Sequence, residues 1–203
     1  MFRKTFYFLF VSAYCLSCKQ DLNPLQYRSW YYENQEDFIK SEDFGDYKVA
    51  LVDKPLPVVT IENQSRNAFN PHVFEDQLEL KKNLRFFELR FQVSGSKDFL
   101  SHQTRDESEY NAKLQYFLSD PIEDIFLKTR RDTLRPVAFH YERGNNVKPY
   151  QSVLLAFDFS NSDLPPHEAE GELHFYEKVL GTAGIKMPIR PLNQLPNLIL
   201  DYD

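Results

Sequence analysis

The stretch Asp132-Thr133-Leu134-Arg135-Pro136-Val137-Ala138-Phe139-His140-Tyr141-Glu142-Arg143 decides the fold class, together with Pro149-Tyr150-Gln151-Ser152-Val153-Leu154-Leu155-Ala156-Phe157-Asp158-Phe159 beyond a Gly-Asn-Asn turn. Side chains alternate across a strand, so Val137, Phe139 and Tyr141 share one face and Ala138, His140 and Glu142 the other. In the second half Val153, Leu155, Phe157 and Phe159 form an apolar face. Leu154 and Ala156 keep the opposite side apolar too, which predicts a strand covered on both faces. The pair reads as the central hairpin of a β-rich domain, with a polar row at its turn end.

The same alternation extends outward from this hairpin. Leu84 to Val93 places Phe87, Leu89, Phe91 and Val93 on one side, with Arg85 among them, and Glu88, Arg90 and Gln92 on the other. That predicts a sheet with one wet face. Tyr47, Val49 and Leu51 alternate in a strand that stops at Pro55 and Pro57. Ile122 to Lys128 reads as a short strand, and Thr129 to Asp132 as a polar turn. Leu173 and Phe175 begin another strand, and Ile185, Met187 and Ile189 alternate in the last one.

Helices are announced by caps. Asn23-Pro24 and Asn70-Pro71 each pair an N-cap residue with a proline suited to the first helical turn. Thr104-Arg105-Asp106-Glu107 fits a capping box ahead of Tyr110, Leu114, Phe117 and Leu118. Alternation across Tyr110, Ala112, Leu114, Tyr116 and Leu118 leaves a strand open there, and the cap favours a helix. Asn63 to Asn70 reads as a loop. So does Asn161 to Gly171, which includes Pro165-Pro166. The expected architecture is a mostly β, antiparallel sandwich-like domain with two or three short helices, or an α+β arrangement as the alternative.

The chain has 203 residues, with 42% hydrophobic and 15% aromatic content, enough for one well-cored domain and contrary to disorder. A formal charge of −6 without any basic run excludes nucleic acid as an expected partner. Both cysteines lie in the first eighteen residues, so the folded domain uses no disulfide.

Those eighteen residues give an address. Met1-Phe2-Arg3-Lys4 is a positive start, Thr5 to Tyr14 is apolar and aromatic, and Cys15-Leu16-Ser17-Cys18 follows before the chain turns polar at Lys19. This is the outline of a bacterial secretory signal, too short for a membrane span of roughly 20 residues. A cysteine after a small residue at this point predicts lipidation at Cys18. Cys15 and Leu16 depart from the usual lipobox, and ordinary cleavage near Ala13 or Cys15, or an uncleaved anchor, are the alternatives. The predicted organisation is a signal peptide over 1–17, a lipidated tether and short helix over 18–45, and a single β-rich domain over 46–203.

The sequence offers little catalytic chemistry. Five histidines are scattered without metal-ligand spacing. His167-Glu168 lacks the second histidine of a zinc helix, and Gly181 and Gly184 are not followed by the residues of a phosphate loop. No metal and no cofactor is expected. The candidate polar site is Asp132, His140, Glu142 and Arg143. A histidine beside a carboxylate can transfer protons or bind a polar ligand, but such a pair more commonly sits on a solvated sheet face, which is the favoured reading here.

Tyr110 to Leu118, Asp132-Thr133 leading to Phe139-His140-Tyr141-Glu142-Arg143, Pro149-Tyr150 leading to Leu154-Leu155-Ala156-Phe157, and Gly184-Ile185-Lys186 together carry a resemblance. The chain resembles uncharacterised lipoproteins of the Bacteroidota, a family with no activity to transfer. The resemblance implies an envelope lipoprotein of a Gram-negative cell, placed in the outer membrane. The first functional expectation is therefore a non-catalytic, lipid-anchored protein that binds an envelope protein as a subunit or accessory of an assembly. The alternatives are a glycan- or ester-hydrolysing enzyme using His140 with Glu142 or Asp132, and a small-ligand-binding module under the Pro165-Pro166 loop.

Overall fold

In the computed structural model, residues 19–64, 69–95, 98–119, 121–142 and 148–200 are described. The leader, the lipidation candidate Cys18 and the site candidate Arg143 lie outside them.

Asn23 caps helix α1 (Pro24–Glu33) in a complete capping box. Its Oδ1 accepts the Gln26 N–H at 3.0 Å, and its own N–H donates to Gln26 Oε1 at 3.1 Å. The short strand β1 (Asp21–Leu22) precedes it. Strands β2 (Ile39–Phe44) and β3 (Tyr47–Lys54) form a hairpin whose tight turn holds Gly45 at φ +63°, a left-handed conformation that glycine adopts without a Cβ penalty. Pro55 ends β3 and leads directly into helix α2 (Leu56–Glu62), where the sequence had suggested only the end of a strand. Asn70 caps α3 (Pro71–Lys81) by accepting the Val73 N–H at 3.2 Å.

The alternating stretch is strand β4 (Leu84–Val93). Helix α4 (Glu107–Leu118) follows, capped by Asp106 rather than Thr104, with the Glu109 N–H donating to Asp106 Oδ1 at 2.9 Å. The chain then runs through β5 (Ile125–Thr129), β6 (Thr133–Leu134), β7 (Pro136–Glu142), β8 (Gln151–Asp158), β9 (Gly171–Phe175), β10 (Ile185–Ile189) and β11 (Asn197–Leu198).

These strands make two antiparallel sheets, ordered β2-β3-β4-β8-β7 and β10-β9-β5-β6, and a parallel β1-β11 ribbon. The inner faces of the two sheets share one core. Phe87, Leu89, Phe91, Val153, Leu155 and Phe157 from the first meet Ile125, Leu127, Leu173, Phe175 and Met187 from the second. Phe117 of α4 and Phe99 fill one end, with Phe99 stacked on Phe91 at 4.8 Å between centroids. Each such side chain contributes about 1.5–3 kcal/mol by leaving water. At Gly171 a Cβ would stand 2.1 Å from the Lys128 carbonyl oxygen, so only glycine lets β9 lie this close to β5. The domain is a sheet-rich α+β arrangement with two antiparallel sheets packed on one core, in keeping with the α+β alternative.

Three expectations change. The β7 half of the hairpin is an edge strand, and only β8 is internal. A bulge between Pro136 and Ala138 leaves Val137 outside the ladder and 57% exposed, while Phe139 and Tyr141 keep their inward direction. Residues expected as a tether belong to the folded body, because β2 extends the large sheet and Tyr27 and Tyr31 of α1 are buried in a second cluster with Leu22, Phe38 and Val58. Last, the face expected to be wet is partly covered. Glu88 is only 3% exposed, because α1 and α2 lie over that side of the sheet.

Candidate functional site

Sheet register aligns a cross-strand row on the covered face: Arg90 of β4 lies opposite Ser152 of β8, and Ser152 lies opposite Glu142 of β7. The neighbouring row holds Glu88, Leu154 and His140. Where α1 and α2 fail to cover these rows, a polar cleft of about 980 Å³ opens. Its floor comes from β4, β7 and β8, and its wall from Arg28, Tyr32 and Glu33 of α1 and Glu62 of α2.

The cleft is a chain of ion pairs. Arg90 Nη2 donates to Glu88 Oε2 at 2.9 Å, and the guanidinium lies 4.7 Å from the centroid of the Tyr150 ring. Lys148 Nζ approaches the same ring at 5.5 Å and Glu142 Oε2 at 3.8 Å. Ser152 Oγ donates to Glu142 at 3.2 Å. On the helical side Lys54 Nζ pairs with Glu62 at 2.5 Å, and the Tyr32 hydroxyl donates to the same carboxylate.

Burial alone would raise the Glu88 carboxyl. The Arg90 hydrogen bond, with the charges of Arg90, Lys54 and Lys148, outweighs burial and holds it below the ordinary carboxylate range. Burial also raises the Tyr32 hydroxyl, and Glu62 adds to this, so Tyr32 stays a donor. Arg90 Nε is itself buried and, among the described residues, lacks a hydrogen-bond partner. Chemically the cleft can exchange some of these internal contacts for those of a polar ligand bearing both signs of charge.

The residues singled out from sequence divide. Glu142 lines the cleft. His140 stands on the same side of β7 but is exposed on the edge strand and is not part of the cleft lining. Asp132 belongs to the β5–β6 turn of the other sheet, where it accepts a hydrogen bond from Ser162 Oγ at 2.8 Å. The acid–base group imagined from His140, Glu142 and Asp132 is therefore not assembled. Sequence reading did not single out Glu88, Arg90, Lys54, Glu62 or Lys148. The available signal was the polar side of β4, read as solvated.

Away from the cleft, His174 stacks on Phe126 at 4.8 Å on the outer side of the smaller sheet, and its Nε2 lies 2.7 Å from Glu172. Burial lowers the His174 imidazole below its usual value, against the pull of Glu172. Among the described residues no group of three His, Cys, Asp or Glu side chains can hold a metal ion, and no helix is long and apolar enough to cross a membrane.

No protein-family model matches the chain, and no curated protein does either. Among solved structures, a protein of unknown function from Burkholderia pseudomallei is similar over 88% of this chain and 96% of its own, with 11% identity and a TM-score of 0.38.

Proposed function

We propose that this protein is a lipid-anchored protein of the bacterial cell envelope, held in the outer membrane through Cys18, and that it serves an envelope assembly as a protein-binding accessory subunit. The leader pattern and the resemblance to Bacteroidota lipoproteins support the address. The observation that carries the binding role is the charge balance of the cleft. Arg28, Lys54, Arg90 and Lys148 face Glu33, Glu62, Glu88 and Glu142 in one concavity. A surface so arranged favours a polar protein segment of mixed charge over an anionic polymer, and selects it by complementarity more than by apolar area.

The test is mild crosslinking and capture of the tagged full-length protein from its own membranes, with acyl labelling and a Cys18→Ala control. A recurrent envelope partner is expected, lost in the control and weakened by salt. Labelling that survives Cys18→Ala contradicts the anchor, and capture at background level contradicts the accessory role. One observation favours a second reading: the cleft has the volume of a small-molecule site and is flanked by Tyr32 and Tyr150, which suits a polar small ligand. Thermal stabilisation by a soluble envelope saccharide or peptide, without a protein partner, would select it.

A further inference from the structure

The apolar tail Leu198-Ile199-Leu200 plays no part in the cleft or the sandwich core. Asn197 N–H donates to the Gln20 carbonyl and Ile199 N–H to the Leu22 carbonyl, each at 2.9 Å, which fixes the tail beside the first described residues. Leu22 points inward and is buried, whereas its neighbours point out. Ile199 is 38% exposed, Leu200 48%, and Leu25, in the first turn of α1, 48%. Three large aliphatic side chains thus stand exposed within three residues of Leu22 or on the segment hydrogen-bonded to it.

We infer that this corner is a membrane-contact surface, and that the domain rests on the bilayer through Leu25, Ile199 and Leu200. The inference builds on the lipidation of Cys18 proposed above. Cys18 precedes Asp21, the first residue of β1, by three positions, and three residues reach no further than about 10 Å. An acylated Cys18 therefore holds the β1-β11 ribbon against the headgroups, and no other part of the domain has to be brought there by a long linker. An apolar surface at an interface sinks about 5–10 Å, a depth this attachment permits. The bilayer is the occupant because the chain's own anchor delivers it.

The chemistry of the corner sets the kind of lipid surface. Lys19 and Asp21 offset each other at the ribbon, and Asp201 and Asp203 follow Leu200 in the sequence. Nothing in this set attracts anionic headgroups and the surplus of acids disfavours them, so the contact is an apolar insertion into a zwitterionic surface that needs no ionic attraction and persists in salt. Trp30, the single tryptophan of the sequence, lines a shallow groove with Gln20, Leu22 and Leu25, so its fluorescence reports on this corner.

The experiment reconstitutes the acylated full-length protein, purified from membranes, into phosphatidylcholine vesicles containing a nitroxide-bearing lipid. Trp30 emission is expected to be quenched, equally at low and high salt. A Leu25→Glu, Leu200→Glu double variant, altered only at exposed positions, should remain acylated and float with the vesicles while losing most of the quenching. If the acylated wild-type protein floats with the vesicles but its Trp30 is unquenched, the contact surface is refuted and the anchor stands. If no acyl group is present, the anchor fails and the inference falls with it. A dimer that forms without vesicles and is dissociated by the double variant would overturn the inference in favour of a second copy of this chain.

Discussion

Strand β4 carries two arginines five residues apart, and they live in opposite ways. Arg85 points into the end of the sandwich. Its guanidinium pairs with Asp53 and donates to the carbonyls of Pro166, Ala169 and Arg190 at 3.0, 2.7 and 2.6 Å. The group is 3% exposed and ties β3, the Pro165-Pro166 loop and the end of β10 together. Burial pushes the Asp53 carboxyl up and Arg85 pulls it back, so each is costly without the other. Arg90 points the other way, into the cleft, where Glu88 and the Tyr150 ring hold it and, among the described residues, its buried Nε has no hydrogen-bond partner. A buried charge with every valence filled is structural. One that is desolvated yet incompletely satisfied, at the wall of a cavity, is where a ligand gains most.

The largest expected effect breaks the first of the two. Arg85→Met should cost about 3–5 kcal/mol in urea unfolding, because it strands Asp53 and three carbonyls. Adding Asp53→Asn should recover part of the loss, and strict additivity of the two changes would show that the pair is not coupled. Arg90→Met should cost less, about 1.5–3 kcal/mol, since Lys54 and Lys148 still face Glu88 and the cleft admits water. Equal losses at the two positions would erase the contrast.

Glu88 sharpens it through pH. Its folded value lies below its unfolded value of 4.5, so its contribution is complete above that pH and is lost as pH falls through the folded value. Glu88→Gln should therefore flatten the acid limb of the stability curve and leave its alkaline limb unchanged; an unaltered acid limb would count against the depressed carboxyl. The smallest effect belongs to His140→Ala. On an exposed edge position it should change stability by less than about 0.5 kcal/mol and leave partner capture intact. A large loss in either would place His140 back in the site.

What the sequence made legible follows from which forces are local. The alternation of β4 marks its full span, and the Asn-Pro pairs mark the starts of α1 and α3, because pleat and cap are decided within a few residues. Helix α2 was hidden because Pro55 and Pro57 read as breakers and Pro55, at its N-cap, provides no capping side chain. Strand β2 was hidden by its polar run Lys40 to Asp43, which an edge strand tolerates. The start of α4 shifted from Thr104 to Asp106 because the Thr104 hydroxyl is engaged by the Leu100 carbonyl and Lys113 Nζ, which leaves Asp106 to accept the Glu109 N–H. Whether Glu88 meets water or a helix depends on α1 and α2, which lie well beyond its own strand and earlier in the chain, and no local pattern reports that. For the same reason Glu142 could be chosen from its strand, while its cleft partners Arg90, Lys54 and Glu62 could not.

The central claim is that the cleft around Arg90 and Tyr150 is the binding surface of an anchored envelope protein. The most direct measurement is crosslinked capture from membranes by Tyr150→Ala, compared with the wild-type protein at equal expression and equal acylation. The ring is half-buried at the cleft and lies against both Arg90 and Lys148, so its removal should abolish recovery of the partner while the urea transition stays cooperative. Full recovery of the same partner by this variant would contradict the account.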